Sequence, residues 1–191
     1  MTIKRAAAWF LIVFSIASAP AVQGGMLSNL LGANAYAAPP AGSIEIGFSP
    51  GSAEALVVKT IRDARKEIVV AAYSFTSKPI AQALLDAKRR GVAVAVVMDK
   101  SNKTARYSSA TFLANVGIPV RIDSNYAIMH NKFMVVDGRT VETGSFNFTS
   151  SAARRNAENV IVIHDAPQAA NAYGLEWKRL WNESVYYSPK Y

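Results

Sequence analysis

The stretch from Met129 to Val162, MHNKFMVVDGRTVETGSFNFTSSAARRNAENVIV, sets a His, a Lys, a Ser and an Asn into runs that otherwise read as core strands. Buried strands seldom carry His and Lys together, so these residue types point to chemistry rather than packing. The His130 imidazole can act as a nucleophile or a general acid. The Lys132 ammonium can neutralise charge on a tetrahedral oxyanion, and the Ser145 hydroxyl and Asn147 amide can donate to its other oxygens. Such a set fits a phosphodiester better than a carbonyl. An acyl-transfer triad would want Ser beside His with a carboxylate behind, and here a Lys occupies the centre.

The elements must bring these groups to one place. Two residues apart on a strand, His130 and Lys132 project from the same face, with Asn131 and Phe133 opposite. Asp137-Gly138 is a strong two-residue turn signal; pairing Val136 with Arg139 then sets Lys132 opposite Thr143 and His130 opposite Ser145. A turn at Gly138-Arg139 instead sets Lys132 opposite Ser145 and His130 opposite Asn147. Either register gathers His, Lys, Ser and Asn on one face, whereas a three-residue loop would scatter them.

Around this hairpin, β-branched runs alternate with helical ones. SIEIGFSP reads as a strand, Ser52 to Arg65 as a helix, and EIVVAAYSF as a buried strand. Ser77 and Pro79 start a second helix that Gly91 stops, and VAVAVVMDK is a continuous apolar strand. Thr104 to Asn115 reads as helical, GIPVRID and Val160 to His164 as strands, and Pro167 to Trp181 as a closing helix whose Tyr173, Trp177 and Trp181 form a core stripe. The order implies an α/β domain with a mixed, largely parallel β-sheet sandwiched between helices. Lys88-Arg89-Arg90, Lys100 with Lys103 and Arg106, and Arg154-Arg155 fall at helix ends and loops near strand ends, where parallel sheets place their sites.

Residues Met1 to Arg5 carry two positive charges, and the apolar run from Ala6 to Ala19 is short for a membrane span. We read residues 1–37 as a signal peptide cleaved after Ala35-Tyr36-Ala37, 38–42 as a short tail and 43–191 as one domain. That assigns the protein to the periplasm or the medium, with no transmembrane span in the mature chain. The formal charge of +8 becomes +6 once Lys4 and Arg5 are removed, a charge that attracts polyanions such as nucleic acid or an anionic membrane. With no cysteine, the chain has no disulfide, thiol nucleophile or Cys-based metal site, so stability must come from packing.

His130, Lys132, Asp137, Gly144, Ser145 and Asn147 are spaced HxKx4Dx6GSxN, which resembles the HKD signature of the phospholipase D superfamily. Five fixed residues after a given His coincide by chance on the order of once in a million. The chain from about Ser43 to Tyr191, with YSFTS, RIDSN and ETGSFNFT, is similar to the small, secreted, single-motif bacterial nucleases of that family rather than to its large two-motif lipases. The resemblance implies the phospholipase D/nuclease fold with one HKD lobe per chain, and His130 as the nucleophile that forms a phosphohistidine. It implies phosphate binding by Lys132 and Asn147, with Ser145 supporting that site, and it matches Glu158 to the family's downstream Glu that orients the histidine. Asp137, placed at a turn, and Gly144 are assigned structural roles.

A phosphohistidine mechanism needs a second proton donor for the leaving alkoxide. Either His164 supplies it, or two chains meet across a two-fold axis and each contributes a His130, as the resemblance implies. No metal or other cofactor is required, because Lys132 and its symmetry mate can supply the positive charge. The expected substrate is DNA or RNA cut with low sequence specificity. A phospholipase D type hydrolase of phospholipid headgroups is the alternative, with Tyr126 to Met129 as an apolar mouth, and a catalytically silent nucleic-acid or membrane binder is the third reading.

Overall fold

The computed structural model describes residues 40–104 and 108–189. The segment 1–37 read above as a signal peptide, the first tail residues Ala38 and Pro39, and Arg106 lie outside the described residues. An eight-stranded mixed sheet runs in the order β1-β7-β6-β5-β2-β3-β4-β8. Its strands are β1 (Ile44–Ser49), β2 (Glu67–Ala72), β3 (Ala93–Asp99), β4 (Val120–Asp123), β5 (Lys132–Val136), β6 (Thr140–Gly144), β7 (Glu158–Ile163) and β8 (Val185–Tyr186). The helices are α1 (Ala53–Asp63), α2 (Lys78–Arg89), α3 (Ala110–Asn115), α4 (Ser150–Arg154) and α5 (Pro167–Glu183).

Side-chain alternation along the strands builds the two layers. Ile68, Val70 and Ala72 of β2, with Met134 and Val136 of β5, face a core shared with α1, α2, α3 and α4. Ala71, Val97, Phe133, Val135 and Val141 face a smaller core closed by Ala170 and Leu180 of α5. On that face Tyr173 packs edge-on to Phe133, and the stacked Trp177 and Trp181 lie partly buried. The sandwich is as the pattern predicts, but parallel pairing is confined to β2-β3 and β3-β4 and the remaining pairs are antiparallel. Helical crossovers through α2 and α3 join these parallel neighbours, the β5-β6 hairpin and the β6-α4-β7 link join antiparallel ones, and β1, β5 and β8 add to the sheet beside strands distant in the chain and run antiparallel to them, so the expectation of a largely parallel sheet is corrected.

Local signals set the helix ends. Ser77 accepts a hydrogen bond from the Ile80 amide at 3.3 Å, and Gly91 leaves α2 with φ 92°. The basic cluster in the last turn of α2 and at its cap is engaged with neighbouring chain. Lys88 donates to the Val116 carbonyl, and Arg90 to those of Ile61 and Arg62, capping neighbouring chain ends. The predicted helix from Thr104 contracts to Ala110–Asn115, after a 3-10 turn at Lys100–Lys103. Asp99 caps that turn through the Ser101 amide, and Asn102 is drawn inward to bond Phe75 and Tyr73, so the chain cannot continue as an α-helix there.

The hairpin also departs from expectation. Val136 pairs with Thr140, so Asp137, Gly138 and Arg139 form a three-residue loop and neither two-residue register occurs. Asp137 and Gly138 both take positive φ, 55° and 63°. The Asp137 carboxylate accepts from the amides of Arg65, Lys66 and Glu67, at 2.7–3.2 Å, and this clamp to the start of β2 selects the longer loop. Scattering does not follow, because β5 begins at Lys132 and β6 ends at Gly144. His130, Ser145 and Asn147 therefore lie beyond the ladder, in irregular chain whose facing is not set by strand register.

Candidate active site

Antiparallel pairing brings several chain ends together at one edge of the sheet. Ala72, which ends β2, pairs with Lys132, which starts β5; Gly144, which ends β6, pairs with Val160 near the start of β7. Glu158 begins β7 opposite Ser49 of β1. Gly144 has φ 154°, and a Cβ there would lie 2.2 Å from the Asn159 carbonyl oxygen, so only glycine allows the close approach of β6 to β7 that precedes Ser145.

The His130 backbone is held from both sides. The Met129 amide donates to Asp99 Oδ2 at 2.8 Å, and the Tyr73 amide donates to the Asn131 carbonyl at 2.9 Å. The imidazole itself is exposed, with its centroid 4.5 Å from the Tyr73 ring, and among the described residues its nitrogens make no hydrogen bond. Lys132 is buried; its Nζ donates to the His130 carbonyl at 2.8 Å and sits 5.3 Å from the Tyr73 ring centre. Burial pulls the Lys132 pKa below its ordinary value, and the charge of Glu158 works against that pull.

Ser145 and Glu158 form a second unit. Ser145 Oγ donates to Glu158 Oε2 at 2.6 Å and accepts from the Asn159 amide at 3.1 Å, while Asn156 Nδ2 donates to Glu158 Oε1 at 2.9 Å. Both Glu158 oxygens are thus engaged, and neither bonds the His130 ring of the same chain. Asn147 has a buried Oδ1 with no partner among the described residues. An orphan of this kind is costly unless a ligand or a rearranged neighbour completes it. Lys132, His130, Ser145 and Glu158 are therefore joined in one neighbourhood, while Asn147 follows Ser145 by two residues and bonds none of them.

Sequence reasoning missed three supporting residues: Tyr73, Asp99 and Asn156. Tyr73 and Asp99 each stand where an apolar strand run gives way to a polar-capable side chain at the site edge, and that break was a usable signal. The other candidate proton donor, His164, is remote. It follows β7 at the end opposite Glu158, about 20 Å away at the usual strand rise. There it is buried, with Nε2 2.8 Å from Glu45 Oε1. Among the described residues no three His, Cys, Asp or Glu side chains are grouped to hold a metal ion.

An exposed imidazole and a buried ammonium joined through the His130 carbonyl, on a mixed sheet between helices, are the arrangement expected of a histidine-lysine phosphodiesterase. Residues 57–181 match the family model described as cardiolipin synthase, PLD-like domain. The crystal structure of the phospholipase D family member Nuc from Salmonella typhimurium superposes with a TM-score of 0.75 and 45% identity, covering 76% of this chain and 97% of that one. NucT from Helicobacter pylori, at 22% identity and a TM-score of 0.67, shares the fold over 76% of this chain and 100% of its own. A phospholipase D of Rickettsia bellii is 41% identical over 128 residues, 67% of this chain and 63% of that protein, so the match spans a little under two thirds of that relative. The chain belongs to the phospholipase D superfamily, in its Nuc-like branch, among hydrolases that act on phosphodiester bonds.

Proposed function

We propose that the protein is a phosphodiesterase that works through a phosphohistidine, with nucleic acid as its substrate. The observation that carries the reading is the exposed His130 imidazole, without a hydrogen bond among the described residues, beside a buried Lys132 whose ammonium bonds the His130 carbonyl and shares the Tyr73 ring with it. A ring nitrogen of His130 attacks phosphorus while Lys132 and the Asn147 amide hold the non-bridging oxygens, and Ser145 keeps Glu158 in place. The P–O bond to the leaving group breaks, and the alkoxide takes a proton from a second imidazolium. That imidazole next removes a proton from water, whose hydroxide attacks the phosphohistidine; the P–N bond breaks and His130 is regenerated.

His164 is at the wrong end of β7 to serve as that second group. The His130 of another chain across a two-fold axis fits the need, and the open ring nitrogens leave His130 available to both substrate and partner. The net charge of +6 that residues 38–191 carry supports a polyanionic substrate, as does the likeness to Nuc over nearly all of its length. A phospholipid headgroup is the second reading. Ile128, 53% exposed two residues before His130, offers an apolar rim, and relatives include a mitochondrial cardiolipin hydrolase from Xenopus laevis at 38% identity over 120 residues. We further propose that residues 1–37 export the domain. The deciding experiment is nicking of supercoiled plasmid in excess EDTA, with His130→Ala alongside. Metal-independent nicking that disappears in the variant supports the proposal; no nicking, with headgroup release from phospholipid vesicles, transfers it to lipid.

A further inference from the structure

Next to the site lies a cavity of about 770 Å³ that none of the site residues lines. Its position follows from two chain segments that leave the site together. Beyond Tyr73 and Asn147, Phe75 and Phe148 form a parallel bridge, and the Thr76 and Ser77 amides both donate to the Phe148 carbonyl, at 2.9 and 2.8 Å. Thr76 and Ser150 then line the cavity, each three residues past a site residue, a span of at most about 11 Å of extended chain. Successive nucleotides of a stacked strand rise by about 3.4 Å, so a polynucleotide held at His130 brings its next nucleosides within reach of this space.

The lining suits such an occupant. Phe112 is 40% exposed and lines the cavity with Pro79, offering a flat apolar surface on which a base can stack. Thr76, Ser109 and Ser150 present hydroxyls with no hydrogen-bond partner among the described residues, and the Gln82 amide, whose nitrogen already donates to Asp86, adds one further donor and an acceptor. An acyl chain would leave those hydroxyls unpaired, and the apolar side chains of the main cavity are Phe112, Pro79 and Ala81. Charge at the rim is cationic: Lys78 and Arg154 have no ion-pair partner among the described residues, while the single carboxylate, Glu54, accepts from Ser77 Oγ. An adjoining cavity of about 430 Å³ shares Glu54, Pro79 and Arg154 and extends the groove to Arg62. The volume lies within the range of small-molecule sites.

We propose that this groove seats the nucleoside next to the scissile phosphate, its base on Phe112 and the flanking phosphates at Lys78 and Arg154. The proposal rests on the nuclease reading and adds a subsite to it. Its test compares Phe112→Ala and the double variant Lys78→Gln/Arg154→Gln with the wild type on three substrates: a short single-stranded oligonucleotide, bis(p-nitrophenyl) phosphate and phosphatidylglycerol vesicles. Phe112→Ala should raise KM for the oligonucleotide roughly tenfold. The double variant should lower the slope of log(kcat/KM) against log[salt] by about one per lost phosphate contact. Both should turn over the bis-aryl phosphate like the wild type, because it reaches the histidine without entering the groove, and this also reports intact folding. A wild type that cuts the oligonucleotide, with variants that match it in KM and salt slope, overturns the subsite and leaves the nuclease reading standing. A wild type that acts only on the vesicles overturns the nuclease reading and the nucleoside seat together. Loss confined to vesicle hydrolysis in the variants reassigns the groove to lipid and overturns the proposal.

Discussion

The two ends of the central strands carry similar side chains in opposite condition. At one end, among the described residues, the exposed His130 ring makes no hydrogen bond and Asn147 keeps a buried oxygen without a partner. At the other end His164 is buried against Glu45, Arg139 is paired with Asp165, and Asp137 accepts from three backbone amides. Each end holds one of the chain's two histidines. Residue type does not separate the two ends, but charged pairing does: His164 Nε2 lies 2.8 Å from a Glu45 carboxylate, and the His130 ring has no such partner among the described residues. Polar atoms already committed to the fold hold it together; those left open near a buried cation are available to a substrate.

Exchanging the roles of the two histidines is the strongest challenge to this contrast. His130→Ala should reduce turnover by at least about a thousandfold while lowering Tm little, because the exposed ring makes no hydrogen bond among the described residues and gives up a contact with the half-buried Tyr73 ring. His164→Ala should keep turnover within about twofold and lower Tm by several degrees, as a buried, paired ring is removed. Loss of activity in His164→Ala at unchanged Tm would assign the proton donor to the far end and collapse the distinction.

Glu142 sharpens the contrast from the middle of β6. It is buried on the core face, and desolvation raises its carboxyl to a pKa of about 8. The folded protein therefore keeps a proton that the unfolded chain releases near pH 4.5, so stability falls as pH rises from there to about 8. Glu142→Gln removes that fall. Its Tm should match the wild type near pH 5 and exceed it near pH 8, while activity stays that of the wild type; chemical denaturation at the two pH values measures the gain. A smaller effect is expected at the loop. Asp137→Ala should cost about 2 kcal/mol by urea denaturation, leaving KM and kcat nearly unchanged. A large kcat loss there would give Asp137 a part in the chemistry.

The alternation of strands and helices was legible because periodicity and capping are local, as at Ser77 and Gly91. The hairpin register was not, because the conformation of Asp137 is fixed by amides about 70 residues earlier in the chain. The helix from Thr104 failed for a similar reason: Asn102 bonds across to the Tyr73 segment, which no nearby residue announces. The motif residues were visible by spacing alone, yet the groups that hold them, Tyr73 and Asp99, arrive from other strands. Spacing along the chain reports which atoms react, and only pairing between strands reports what positions them.

Gly144 has a consequence for anyone wishing to diversify this site. The atom that a side chain would strike is a backbone oxygen, so no second substitution elsewhere can clear the space. A library that randomises position 144 spends every codon but glycine's on a clash with the Asn159 carbonyl. Tyr73 and Asn156 act through side chains that touch the centre, so an evolutionary search for altered rate or selectivity has room to move there while the glycine stays constant.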